Sequence, residues 1–145
     1  MGRLTPRWLT VGTPEYRAAV QLRREVLRLP IQLDFAPGDL DQDAREEMLS
    51  LWQGQLIVAA LHIAHLPSGV AKIRQVAVDS AFRGTGLGRE IMLLAEQHLR
   101  DNGTTKVELN ARDVVMPFYD ALGYTVVGEG FTEVGIPHHK MTKQL

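Results

Sequence analysis

Residues 73–103, IRQVAVDSAFRGTGLGREIMLLAEQHLRDNG, admit few folds. The apolar run Val76, Ala77, Val78 reads as a strand, and a loop over 79–82 leads into Arg83-Gly84-Thr85-Gly86-Leu87-Gly88. A helix follows in which Leu87, Ile91, Leu94, Ala95, His98 and Leu99 recur at helical spacing, and Gly103 is placed to end it. A strand that delivers the chain through glycines into a helix N-terminus leaves amides unpaired at the positive end of a helix dipole. Such a place holds anions, phosphates above all. A Walker loop needs a Lys after its last glycine, and none follows here. A dinucleotide loop needs Gly-x-Gly-x-x-Gly, whereas Gly84, Gly86 and Gly88 are spaced by two.

With 145 residues, 45% of them hydrophobic, one domain spanning 1–145 is expected. The formal charge of −1 gives no bulk attraction to nucleic acid or to anionic membrane. The absence of cysteine excludes disulfides and a thiolate nucleophile. Together with the lack of a signal-type or membrane-length apolar run, it suits a cytoplasmic location.

Strands are predicted at 8–11, 48–53, 55–66, 70–78, 106–111, 124–128 and 136–143. Helices are predicted at 14–29, behind a Thr13 cap with Pro14 at its first position, and at 113–122, where Asp113 is the cap and Pro117 lies in the first turn. In 106–111, Val107, Leu109 and Ala111 alternate with polar residues, as in a strand with one polar face. Hairpins at both ends favour an α+β fold around one mixed, mainly antiparallel sheet over a doubly wound parallel one. Residues 34–47 carry six acids against Arg45 alone, and read either as a solvated segment or as an acidic rim that attracts a cationic acceptor. His62 and His65 read as edge or satisfied histidines, with titratable site roles as the alternative.

Arg83-x-x-Gly86-x-Gly88 matches the pattern Arg/Gln-x-x-Gly-x-Gly/Ala, and downstream Met116-Pro117-Phe118-Tyr119-Asp120-Ala121-Leu122-Gly123-Tyr124 is similar to the signature FYexlGF/Y. In this order the two resemble the GNAT superfamily of N-acyltransferases. Residues 22–28 and 131–138 also resemble one bacterial-type branch, the ElaA-like acetyltransferases. The resemblance implies a GNAT-type fold of about six to seven strands and about four helices, whose fourth and fifth strands, 70–78 and 106–111, splay to admit acetyl-CoA. It places the pantetheine arm along Val76, Ala77 and Val78, and the pyrophosphate on the amides of Gly84, Thr85, Gly86, Leu87, Gly88 and Arg89. Arg83 and Arg89 would add charge-assisted contacts. Arg112 occupies the position of a family asparagine, and Asn110 is the nearby substitute.

By the same resemblance Tyr119 is the general acid that protonates the departing thiolate, a role that a phenol of pKa about 10 suits. A lysine-like ammonium is neutral in only about 1 molecule in 2,500 at pH 7, so a base is needed. Some family members place a glutamate on the fourth strand, where this chain has Lys72, Arg74 and Gln75. Glu108, Glu133 and His138 are the remaining candidates. No metal is expected, since adjacent His138 and His139 would point to opposite faces of a strand. The expected activity is direct transfer of acetyl from acetyl-CoA to a primary amine in a ternary complex, with a noncatalytic acyl-CoA-binding regulatory module as the alternative. Expected partners are acetyl-CoA and a small amine or peptide acceptor, with a homodimer allowed and neither nucleic acid nor membrane.

Overall fold

The computed structural model describes residues 3–145. Along the chain run β1 (Leu4–Trp8), α1 (Pro14–Arg23), β2 (Glu47–Gln53), β3 (Leu56–Leu66), β4 (Val70–Val78), α2 (Leu87–Asp101), β5 (Lys106–Arg112), α3 (Met116–Ala121), β6 (Thr125–Glu133) and β7 (Ile136–Gln144). The seven strands form one sheet in the order β1-β2-β3-β4-β5-β7-β6. Every neighbouring pair is antiparallel except β4 and β5. The mixed, mainly antiparallel sheet is therefore as expected, with three α-helices among the described residues where about four were expected: residues 34–47 contribute only a 3-10 turn, Asp41–Arg45, before β2 begins.

The alternation along β5 sends Val107, Leu109 and Ala111 into the core on the α2 side of the sheet. There they join Ile63, Ile73 and Met141 beneath Ile91, Met92, Ala95 and Leu99. Leu94, expected on that face, is 37% exposed, while Met92 and Glu96 are buried. At about 100° per residue the buried arc turns toward Met92 and carries Leu94 off its edge. On the opposite sheet face α1 packs Ala19 and Leu22 against Trp52, Ile57, Ala60 and Ala77.

Several boundaries differ from the sequence expectation. The first strand is Leu4–Trp8 rather than 8–11, because β2 pairs with Leu4 through Trp8 and the next residues turn to seat the Thr13 cap of α1. The Thr13 hydroxyl donates to the Thr10 carbonyl at 2.7 Å and accepts the Tyr16 amide at 3.2 Å. The helix does not run unbroken to 29: Arg24–Arg28 widen into a π turn, and a 3-10 turn, Leu29–Ile31, closes the segment around Pro30. Asp113 does not cap the third helix, which begins at Met116; its carboxylate instead lies 2.7 Å from His139 Nδ1. β6 continues to Glu133, so the loop expected at 129–135 shrinks to a turn at Val134 and Gly135, both at positive φ, after an irregular step in register between Val127 and Phe131. Among the described residues no helix is long and apolar enough to cross a membrane.

Candidate active site

β4 and β5 pair only where Val70, Ala71 and Lys72 meet Lys106, Val107 and Glu108; beyond that they separate. The cause lies in β4. Ala77 faces Ala60 and Arg74 faces His62, so Leu61 stands opposite both Gln75 and Val76. This is a bulge, with Gln75 held at φ 54°, and bulges sharpen strand twist and bend the strand. The separation opens a cavity of about 1040 Å³ bounded by β4, β5, the glycine loop, α3 and the π turn.

At one end of the cavity lies the start of α2. Gly86, at φ 87°, is its N-cap and offers no side chain to the amides. The first intrahelical bond runs from the Glu90 amide to the Gly86 carbonyl at 3.0 Å, which leaves the amides of 86–89 without intrahelical partners. Leu87 anchors this turn in the core. Gly88 is closely approached: a Cβ there would come within 3.2 Å of Phe118 Cζ and 3.7 Å of Val78 Cγ2. Gly88→Ala therefore pushes the Phe118 ring aside. Acetyl-CoA should stabilise that variant less than wild type in thermal melts, and equal stabilisation would show that the contact does not shape the site.

The structure brings most of the predicted cofactor residues together. Val76, Val78, Arg83, Gly84, Gly86, Leu87, Gly88, Arg89 and Asn110 all border the cavity. Ala77 does not, because its methyl group packs under α1. Thr85 also lies off the wall, its hydroxyl donating to the Phe82 carbonyl. Tyr119 is on the wall and nearly buried. Its ring meets Phe118 and Tyr124 edge to face, with centroids 5.0 and 5.8 Å away. Burial pushes its phenol up to about 12.

Of the three predicted bases, Glu133 and His138 border the cavity. Glu108 does not, and its carboxylate pairs with Lys140 at 3.1 Å. His138 Nδ1 lies 2.7 Å from the Ile136 carbonyl. A carbonyl only accepts, so Nδ1 carries a proton, and in the corresponding neutral tautomer the lone pair is on Nε2. That nitrogen is 3.5 Å from Glu133 Oε2.

The acidic segment is not wholly solvated, and none of its residues borders the cavity. Asp43 is buried, accepting the Tyr16 hydroxyl at 2.6 Å and Arg23 at 3.3 Å. Glu46 accepts Arg74 at 2.6 Å and faces His62 Nδ1 at 3.1 Å. Burial raises the Glu46 carboxyl, but the hydrogen bonds of His62 and Arg74 outweigh it and hold the group below the ordinary carboxylate range. Asp43, Glu46 and His62 are close enough to share a cation, and Arg23 and Arg74 supply the positive charge there. His65 sits at the surface against Glu47.

A mixed sheet parted at its parallel strand pair β4 and β5, with helix amides without intrahelical partners at the parting, makes a slot for an extended chain that ends in an anionic group. Residues 34–145 match the family profile described as Acetyltransferase (GNAT) domain, and the chain belongs to the GNAT acetyltransferase family. It is similar to the N-acetyltransferase YjcF of Bacillus subtilis, 35% identical over 133 residues that cover 89% of this chain and 92% of that protein. To YyaT of the same organism it is 32% identical over 82 residues, 57% of this chain and 55% of that protein, so the match spans about half of YyaT's length. Escherichia coli ElaA shares the fold, with a TM-score of 0.85 over 97% of this chain and 99% of that one at 23% identity. A GNAT family acetyltransferase from Elizabethkingia anophelis with acetyl-CoA bound also shares it, at a TM-score of 0.76, 16% identity and 98% coverage of each chain.

Proposed function

We propose that this chain is a single catalytic domain that transfers acetyl from acetyl-CoA to a primary amine by direct attack. The observation that carries this reading is the gap between β4 and β5, which runs from the unpaired amides of α2 to the Tyr119 ring. The gap leaves the edge of β4 unpaired beyond Lys72, free to pair with the amides of a pantetheine arm. The pyrophosphate rests on the amides of 86–89, with Arg83 and Arg89 beside it.

In the reaction, His138 Nε2 takes a proton from the acceptor ammonium, and Glu133 stabilises the imidazolium that forms. The amine nitrogen attacks the thioester carbonyl, the C–N bond forms, the C–S bond breaks and the thiolate takes the Tyr119 proton, while the second amine proton, shed as the amide forms, returns to the Tyr119 phenolate; the products are the amide, the CoA thiol and protonated His138. The chain holds no cysteine to carry the acetyl group covalently, so one transfer step suffices. A protein of the same fold with acetyl-CoA bound supports the choice of donor.

Thermal melting with acetyl-CoA, NAD and ATP tests the reading, alongside CoA release in the presence of an amine panel. Acetyl-CoA at about 100 times its Kd adds about 2.7 kcal/mol, roughly 5–10 °C for a domain of this size. Stabilisation by NAD without stabilisation by acetyl-CoA would overturn the proposal.

A further inference from the structure

The cavity wall is more basic than the acyl donor requires. Arg83 and Arg89 stand at the phosphate end, yet Arg28, Lys72, Arg74 and Arg112 border the same cavity, and Glu133 is its sole carboxylate among the described residues. On β4, Lys72 and Arg74 alternate with Ala71 and Ile73, which are buried toward α2. On β5, Asn110 and Arg112 alternate with Leu109 and Ala111, buried on the same side. The cations therefore project from the opposite face of the sheet, where the π turn crosses it. Arg112 is the register partner of His138, and cross-strand partners share a face.

Each guanidinium is held by one partner. Arg74 donates to Glu46 at 2.6 Å, Arg112 donates to the Leu27 carbonyl at 3.2 Å, and Arg28 lies 5.3 Å over the Phe35 ring. A guanidinium has five N–H donors, so each retains donors that have no protein partner among the described residues. The acidic segment that would recommend a cationic acceptor has its buried members committed to Tyr16, Arg23, His62 and Arg74. A polyamine entering here would meet like charge. A planar or tetrahedral oxyanion would meet fixed forks suited to bidentate hydrogen bonding.

We propose that the acceptor amine also carries an anionic group, a carboxylate or a phosphate, which Arg74, Arg112 and Arg28 hold so that the amine faces His138. This rests on the acetyl-transfer reading above.

The test compares amines matched except for the anion: glycine with glycinamide, and phosphoethanolamine with ethanolamine, with spermidine as the polycation. CoA release gives kcat/KM, and calorimetric titration into the CoA-saturated protein, whose phosphate end is already occupied, gives binding without turnover. At least one anionic member should exceed its partner by about tenfold or more in both measurements, and the pair that does so distinguishes carboxylate from phosphate. Arg112→Gln should abolish the preference, while Arg112→Lys, which keeps the charge, should retain part of it. Equal binding within both pairs, a preference for spermidine, or a preference unchanged in Arg112→Gln would overturn the proposal. A protein that acetyl-CoA does not stabilise and that releases no CoA with any amine contradicts the acetyl-transfer reading instead; selective anion binding lost in Arg112→Gln would still stand on its own.

Discussion

Tyr119→Phe should lower the rate of acetyl transfer by about 10²–10⁴-fold, the usual span of a general acid, and leave acyl-CoA affinity essentially unchanged. The hydroxyl has no hydrogen-bond partner in the protein among the described residues, and the ring is held by its edge contacts with Phe118 and Tyr124. The variant therefore keeps its packing and loses only a proton donor. Burial pushes the phenol up to about 12, which at first sight makes it a poor acid for a thiolate. In the proposed reaction the thiolate forms in the same buried place, however, and burial raises a thiol just as it raises a phenol, so their relative acidity is largely preserved. Tyr119 should hold its proton throughout the neutral and moderately alkaline range. An alkaline fall in rate below about pH 10 in wild type should therefore persist unchanged in the residual activity of the variant. Single-turnover kinetics with enzyme in excess over acetyl-CoA gives the chemical rate, and a rate equal to wild type would remove Tyr119 from the mechanism.

The second large effect concerns stability. Glu96 is fully buried in α2, where it accepts the Tyr124 hydroxyl at 2.7 Å and Lys143 Nζ at 2.8 Å. Burial first, and then the bond to Glu96, push the Tyr124 phenol far above its ordinary value. Glu96→Ala would leave a largely buried ammonium without its counter-charge and a buried hydroxyl without its acceptor. Removing one member of such a group costs about 3–5 kcal/mol, a fall in melting temperature of roughly 10 °C or more. Glu96→Gln retains an acceptor for Tyr124 and should lose less. If thermal melts show the alanine variant within 1 °C of wild type, a tolerance on the order of RT at most, the group contributes nothing to folding.

The parts of this molecule legible in its sequence are those written in short-range spacing. Glycines at 84, 86 and 88, the alternation of β5 and Phe118-Tyr119 each fix local geometry within a few residues, and the sheet and the cavity wall follow from them. The bulge that parts β4 from β5 falls on Gln75, a residue that gives no turn signal, because the bulge is set by pairing with β3. Asp43 and Glu46 read as surface acids since their partners, Tyr16, Arg23, His62 and Arg74, lie 16 to 28 residues away in the chain. Glu96 was hidden for the same reason, its partners being 28 and 47 residues downstream. Asp113 has the composition of a cap, and the demand of His139 across the sheet overrides it.

The π turn at Arg24–Arg28 has a consequence for how this site can change. A π turn holds one residue more than an α turn, and each residue of helix advances the azimuth by about 100°. Deleting one residue within it would let the segment relax into regular helix with α1 still seated on the sheet. The same deletion would rotate Leu27 and Arg28 out of phase with the cavity, uncoupling the Leu27 carbonyl from Arg112 and withdrawing Arg28 from the wall. On the proposed reading of the site, chain length in this turn acts as a phase setting, so that acceptor recognition can diverge through insertions and deletions here while the sheet and α2 stay fixed.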